Sequence, residues 1–235
     1  MFYLNIFIFS AILASFIQVA ATHLPLKQPF MFRFSQCDFC KRRLSFFEMI
    51  PLLSFIALRG KTWCCSKRLS YSYFITELTF PILFTFLVYL KKSASHPILP
   101  LTCFVFLFFF LLTDLAYLHI PDSAVLVFLG IILLIQFKES VPFSDILWQF
   151  LISFCFYGIL YFIFRKGFGM GDTKLLITLG TALGFKESYW IFFLALACAN
   201  LFFGLTVLFR KIPWKTKIPF VPFLFTGFLF YLISH

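Results

Sequence analysis

The chain has 235 residues, 62% of them hydrophobic, and Phe alone supplies 40. A soluble domain of this length is ordinarily about 45–50% apolar, so this composition excludes an ordinary soluble fold and points to a bilayer as solvent. The 20 Lys/Arg against 9 Asp/Glu are then read first as membrane topology, not as a nucleic-acid surface.

A membrane helix needs about 20 apolar residues. The first such window is 2–22. It sits where a signal peptide would, but "MFYLNIFIFSAILASF" has no basic n-region and is apolar from its second residue, so it reads as a retained first span. A polar insert, 23–71, follows. Further windows lie at 72–90, 97–113, 121–137, 145–164, 172–185, 188–209 and 218–233. The segment 172–185 is short and holds two glycines; counting it gives eight spans, omitting it seven. No repeat or coiled-coil heptad is visible. The expectation is an all-α polytopic membrane protein of about eight helices, one membrane-embedded domain over 1–235 with 23–71 as a subdomain.

Charge sets the orientation. The insert carries nine Lys/Arg against Asp38 and Glu48. With eight spans, 165–174 and 210–217 fall on its side, which then holds Arg33, Lys166, Lys174, Arg210, Lys211, Lys215 and Lys217 among sixteen of the twenty basic residues. The other side holds Lys91, Lys92, Lys138 and Lys186. The positive-inside rule puts 23–71 in the cytoplasm and the amino terminus outside.

The insert contains Cys37-x-x-Cys40 and the adjacent pair Cys64, Cys65. Two knuckles in a reducing, basic loop read as a structural zinc site. Thr62 stands where a second C-x-x-C would have its first cysteine, and Cys64 is extra. The plainer reading is a short basic loop held by packing of "MIPLLSFIAL" on the membrane surface. Cys103, Cys155 and Cys198 lie in apolar runs and read as packing residues.

Acids at membrane depth are costly and usually functional. Asp114 closes the run "LTCFVFLFFFLLTDL", and Asp172 follows the glycines of "GFGMGDTKLL"; the topology puts both at one level, at cytoplasmic helix ends. Asp122 after Pro121 reads as an N-cap or first-turn carboxylate, and Asp172 also fits a cap. Asp114 does not, because a negative charge is unfavourable at the end of its own helix. Two carboxylates sharing a partly dry site hold one proton between them, so one serves as base on water while the other donates. Gly167, Gly169 and Gly171 let backbone approach a substrate or a neighbouring helix. "GFGMGDTK" lacks the P-loop spacing, and no strand precedes it.

These residues resemble the type IV prepilin leader peptidases, polytopic aspartic proteases of the GxGD class, over nearly the whole chain. "ASFIQVAATHLP" (14–25) resembles the family's first-span end, with Gln18 for Asn and His23 for Arg. "IPLLSFIALRGK" (50–61), "SYSYFITEL" (70–78), "TDLAYLHIPD" (113–122), "GMGDTKLL" (169–176) and "IPFVPFL" (218–224, Val221 for Gly) carry the rest. The resemblance implies Asp114 and Asp172 as the catalytic pair. Gly169, Gly171 and Lys174 form the active-site loop, and Pro121 and Asp122 start the next helix. It places Cys37, Cys40 and Cys65 on metal-ligand positions with Cys64 as fourth, and puts Glu77 on a family glutamate of unassigned role, a candidate for substrate binding or methyl transfer.

The implied reaction is removal of the basic leader of a prepilin or pseudopilin at the cytoplasmic face of the bacterial membrane. The peptidase step needs no cofactor, and some members also N-methylate the new amino terminus with S-adenosylmethionine. The compact chain is similar to Gram-positive members that process competence pseudopilins. The alternatives are an ion-coupled transporter using the aspartates as proton relays, against which stand the missing inverted repeat and the placement away from midplane, and a presenilin- or signal-peptide-peptidase-like enzyme, which would carry Tyr where Thr113 precedes Asp114.

Overall fold

The computed structural model describes residues 1–27, 36–37, 39–93, 96–165, 167–209 and 218–234. Arg33, Asp38, Lys166, Arg210, Lys211, Lys215 and Lys217 of the charge pattern lie outside the described residues. The described residues form α1 (Phe2–His23), α2 (Leu53–Ala57), α3 (Tyr71–Leu90), α4 (Ile98–Tyr117), α5 (Asp122–Lys138), α6 (Phe143–Ile163), α7 (Met170–Leu183), α8 (Phe185–Leu208) and α9 (Val221–Ser234). Among them the only β-pairing is two isolated bridges. The chain is a polytopic helical membrane protein: α1, α3, α4, α6 and α8 are each long and apolar enough to cross a bilayer. Helices α5, α7 and α9 fill the other apolar windows but are shorter, at 17, 14 and 14 residues. Fourteen residues rise only about 21 Å, less than the roughly 30 Å hydrocarbon layer.

Two compact units emerge, Met1–Lys92 and Ser93–His235. In the first, α1 and α3 pair in opposite directions: Tyr3 meets Tyr89 at 5.9 Å, and Ser15 bonds to Glu77. Ser10, Ala11, Ala14, Gln18 and Ala21 recur at helical spacing and are all buried. Small residues on that stripe let the two backbones close up, which is how helices associate where lipid is as apolar as the side chains. Ser70 starts α3 by accepting the Ser72 N–H.

The second unit is built around α4 and α7. Phe104, Phe110, Phe128 and Phe228 are fully buried; Phe106 stacks on Phe128 at 4.7 Å and Phe104 meets Phe225 at 5.5 Å. Helix α9 lies close on α8, where a Cβ at Gly227 would stand 2.6 Å from the Ile191 carbonyl. Outward faces stay apolar, with Leu134 and Phe137 of α5 and Phe162 of α6 exposed, as a lipid-facing surface requires.

The short α7 is made viable by two glutamines. Gln136 of α5 donates to the Thr181 and Ala182 carbonyls at 2.8 and 3.2 Å. Gln149 of α6 accepts the Phe185 N–H at 2.7 Å. Backbone groups freed inside a membrane must find such partners. Between the two helices only Gly184 intervenes, at φ +101°, a conformation that glycine adopts without strain. Ser188 bonds back to the Leu176 carbonyl, so α8 folds back beside α7 instead of continuing it.

Candidate active site and cysteine cluster

Asp114 and Asp172 come together within the second unit. Asp114 lies in the last turn of α4, which runs on to Tyr117 and ends at Leu118 in the left-handed region. The carboxylate is buried, at the negative end of its own helix. It gains its stabilisation elsewhere: Oδ2 accepts the Val221 N–H at 2.9 Å, and the Phe220 N–H also serves it. Asp114 is therefore a remote cap for α9. The segment "IPFV" offers no Ser, Thr, Asp or Asn to cap that helix. A helix start without a local cap was the one trace of this role in the sequence.

Asp172 is the third residue of α7, which begins at Met170 with Gly169 as N-cap. Its carboxylate folds back to the Gly169 N–H and is close enough to Asp114 for their charges to interact. Asp172 is thus not the N-cap itself but a first-turn carboxylate that reaches back to the N-cap residue.

The glycines have specific reasons. A Cβ on Gly169 would lie 2.8 Å from Asp172 Oδ2, and one on Gly171 would lie 3.1 Å from Ile120 Cβ. Gly169 has φ −74° and ψ 141°, open to any residue, so the need is for space and not for conformation. Gly171 makes room for the α4–α5 connection. A Cβ at Gly167 would meet nothing closer than 4.0 Å. Gly169→Ala should displace the Asp172 carboxylate while leaving the helix start intact. A structure of the variant checks this, with the Asp172 carboxylate expected to move and α7 expected to start where it does now.

Lys174 pairs with a third acid: its Nζ donates to Asp122 Oδ1 at 2.8 Å, with side chains 40% and 67% exposed. Such a solvated pair contributes at most about 1 kcal/mol, and its use here is to hold the first turns of α5 and α7 together. Asp122 is the first residue of α5, with Pro121 before it as N-cap. Glu77, in the first unit, accepts the Leu52 N–H at 2.9 Å and so secures the residue before α2, which sits at φ 62°.

The cysteine loop is built from two equivalent knuckles. Bridges pair Gln36 with Arg43 and Lys61 with Arg68, a shift of 25 residues. The Cys37 N–H bonds to the Arg42 carbonyl and the Thr62 N–H to the Lys67 carbonyl, both at 2.9 Å. Lys41 and Ser66 both turn through positive φ, 58° and 54°. In this superposition Thr62 matches Cys37, and Cys65 matches Cys40. All four sulfur atoms of Cys37, Cys40, Cys64 and Cys65 still lie within 4.8 Å of one another. Cys37 and Cys65 are 3.8 Å apart, Cys64 and Cys65 3.8 Å, and Cys40 and Cys64 3.1 Å. Tetrahedral zinc with Zn–S of about 2.3 Å sets sulfurs roughly 3.8 Å apart; two of these separations have that value, and Cys40 and Cys64 stand closer. The Cys40 main-chain N–H, then that of Phe39, holds the Cys37 thiol down to about 6. A hydrogen bond shared with Cys40 pushes Cys64 up to about 12. Thr62 Oγ1 lies 3.1 Å from Cys65 Sγ, in position to donate to a thiolate.

Comparison with known proteins matches residues 8–91 to the bacterial peptidase A24 N-terminal domain and residues 101–205 to the type IV leader peptidase family. The prepilin leader peptidase/N-methyltransferase of Bacillus subtilis (strain 168) is 29% identical over 225 residues, 94% of this chain and 90% of the relative. The protein of that name from Pseudomonas putida is 30% identical over 81% of this chain and 68% of its own, and that from Vibrio cholerae 28% identical over 82% of each. No solved structure matches the chain.

Proposed function

The chain belongs to the type IV leader peptidase family, and on that premise we propose that Asp114 and Asp172 are the catalytic pair with which it removes the leader peptide from prepilin-like precursors. The observation that carries the pair is their convergence: α4 and α7 bring two acids from 58 residues apart in sequence within electrostatic reach. The pair holds one proton. The ionised carboxylate takes a proton from water as its oxygen attacks the scissile carbonyl, and the protonated one donates to the carbonyl oxygen. Collapse of the tetrahedral adduct breaks the C–N bond, with a proton passing to the leaving amine.

The rest of the reading concerns setting. Eight spans, a cytoplasmic 23–71 insert, an external amino terminus and a site at the cytoplasmic face are supported by the sixteen-to-four split of basic residues. Residues 1–235 act as one peptidase, with competence pseudopilins as substrate class. Gly169 and Gly171 shape the active-site loop, Lys174 joins it to the Pro121–Asp122 helix start, and Cys37, Cys40, Cys64 and Cys65 hold structural zinc. The transporter and presenilin-like alternatives lose their basis with the family match.

A second activity, N-methylation of the new amino terminus, is favoured by the relatives' names. S-adenosylmethionine would supply the methyl group. The first unit suits a cationic group: Gln18 keeps a buried side-chain oxygen without a partner among the described residues, one turn along α1 from Ser15, which bonds to Glu77. Mass spectrometry of the amino terminus of a co-expressed pseudopilin tests both activities. The leader should be missing, with a methyl group on the new terminus if the second holds. An intact leader overturns the peptidase reading.

A further inference from the structure

The start of α9 touches Asp114 and belongs to no motif with an assigned role. Val221 is the first residue of that helix, and the first N–H groups of any helix lack partners within it. Here the Val221 N–H is given to Asp114 Oδ2 at 2.9 Å, across 107 residues of sequence. The Phe220 N–H reaches the same carboxylate. The side chain at 221 is fully buried and plays no part in this bond, which explains how Val can stand where the family has Gly.

We propose that the first turn of α9 is part of the peptidase site, with the main-chain N–H of Val221 as the positioning group that fixes Asp114. The inference rests on the pair reading above. A buried carboxylate on a helix end can rotate about two side-chain bonds; a fixed donor holds one oxygen and leaves the other for the reaction. The donor also favours the ionised carboxylate. The titratable group facing Asp114 from α7 is Asp172. From α9, among the described residues, main-chain donors face it. On α5 the near acid, Asp122, is held by Lys174, and His119 in the α4–α5 connection is exposed.

Val221→Pro removes this N–H at a position where proline is favoured, the first of the helix, and also changes the buried side chain. Its pH profile of kcat/KM on a pseudopilin precursor should move about one unit to higher pH, the worth of one charge-assisted bond. The rate at the original optimum should fall about tenfold. Val221→Ala keeps the donor while truncating the buried side chain, so its pH profile should stay unshifted whatever its rate. Val221→Pro/Pro222→Ala, which retains a single proline in the first turn, should match Val221→Pro and decides the matter if that variant fails to accumulate. A shifted profile supports the proposal. A wild-type profile in either folded proline variant, even with a lower rate, overturns it and leaves the bond merely structural. Asp114→Asn in the same assay separates the two levels: wild-type cleavage there removes the pair reading itself.

Discussion

Asp114→Asn and Asp172→Asn, each alone, should lower cleavage of a pseudopilin precursor by about 10³-fold, within the range that general acid–base groups contribute. Both changes are close to isosteric and spare the local bonds. In either variant the new side-chain amide still offers an oxygen, to the Val221 N–H in the first case and to the Gly169 N–H in the second. Loss of activity therefore reports loss of the shared proton and not of the fold. The two residues act as a unit, so the double variant should be no worse than the poorer single one. Single-turnover cleavage in membranes, with enzyme content matched by immunoblot, measures this. Wild-type rates in either single variant would remove the assignment.

Much of this site was legible because its cost is visible in sequence. An acid at the end of a hydrocarbon run is unfavourable unless something uses it, and Asp114 and Asp172 stood out on that ground. Helices were legible from apolarity, which is why every window has one, but only five of them are long and apolar enough to cross a bilayer. Their ends were not: hydropathy stops at the first polar residue, whereas α4 carries on past Asp114 to Tyr117, and α8 begins at Phe185, three residues before its window. Contacts distant in sequence were also hidden. Nothing near Gln136 says that it caps α7 from α5, and nothing near Asp114 names Val221 as its donor. The reasons for Gly169 and Gly171 were only half visible. Sequence suggested room for backbone, but the room is taken by Asp172's own carboxylate and by Ile120.

Exchange of the fourth ligand in the cysteine loop gives the second large effect. The purified protein should bind one zinc, and Cys37→Ser should reduce it to none, since a structural site in the range of about 10 kcal/mol rests on a complete donor set. The two knuckles predict more than loss. Thr62 occupies the place that corresponds to Cys37, and Cys64 reaches the same sulfur cluster from two residues further on. Cys64→Ser should weaken cobalt binding at least about 10²-fold and bleach its tetrahedral thiolate spectrum. Thr62→Cys/Cys64→Ser should restore both, because the symmetric knuckle then presents its sulfur from the position its partner uses. Thr62→Val should weaken binding about tenfold through loss of the hydroxyl beside Cys65, the size expected of an outer-sphere hydrogen bond. Affinity should climb with pH across the neutral range: Cys37 is already ionised above about 6, but Cys64, held up at about 12, must release its proton to bind. A Cys64→Ser protein with unchanged cobalt affinity would mean that three sulfurs and an outside ligand hold the ion. A double variant that fails to recover would mean that the backbone symmetry does not extend to the metal.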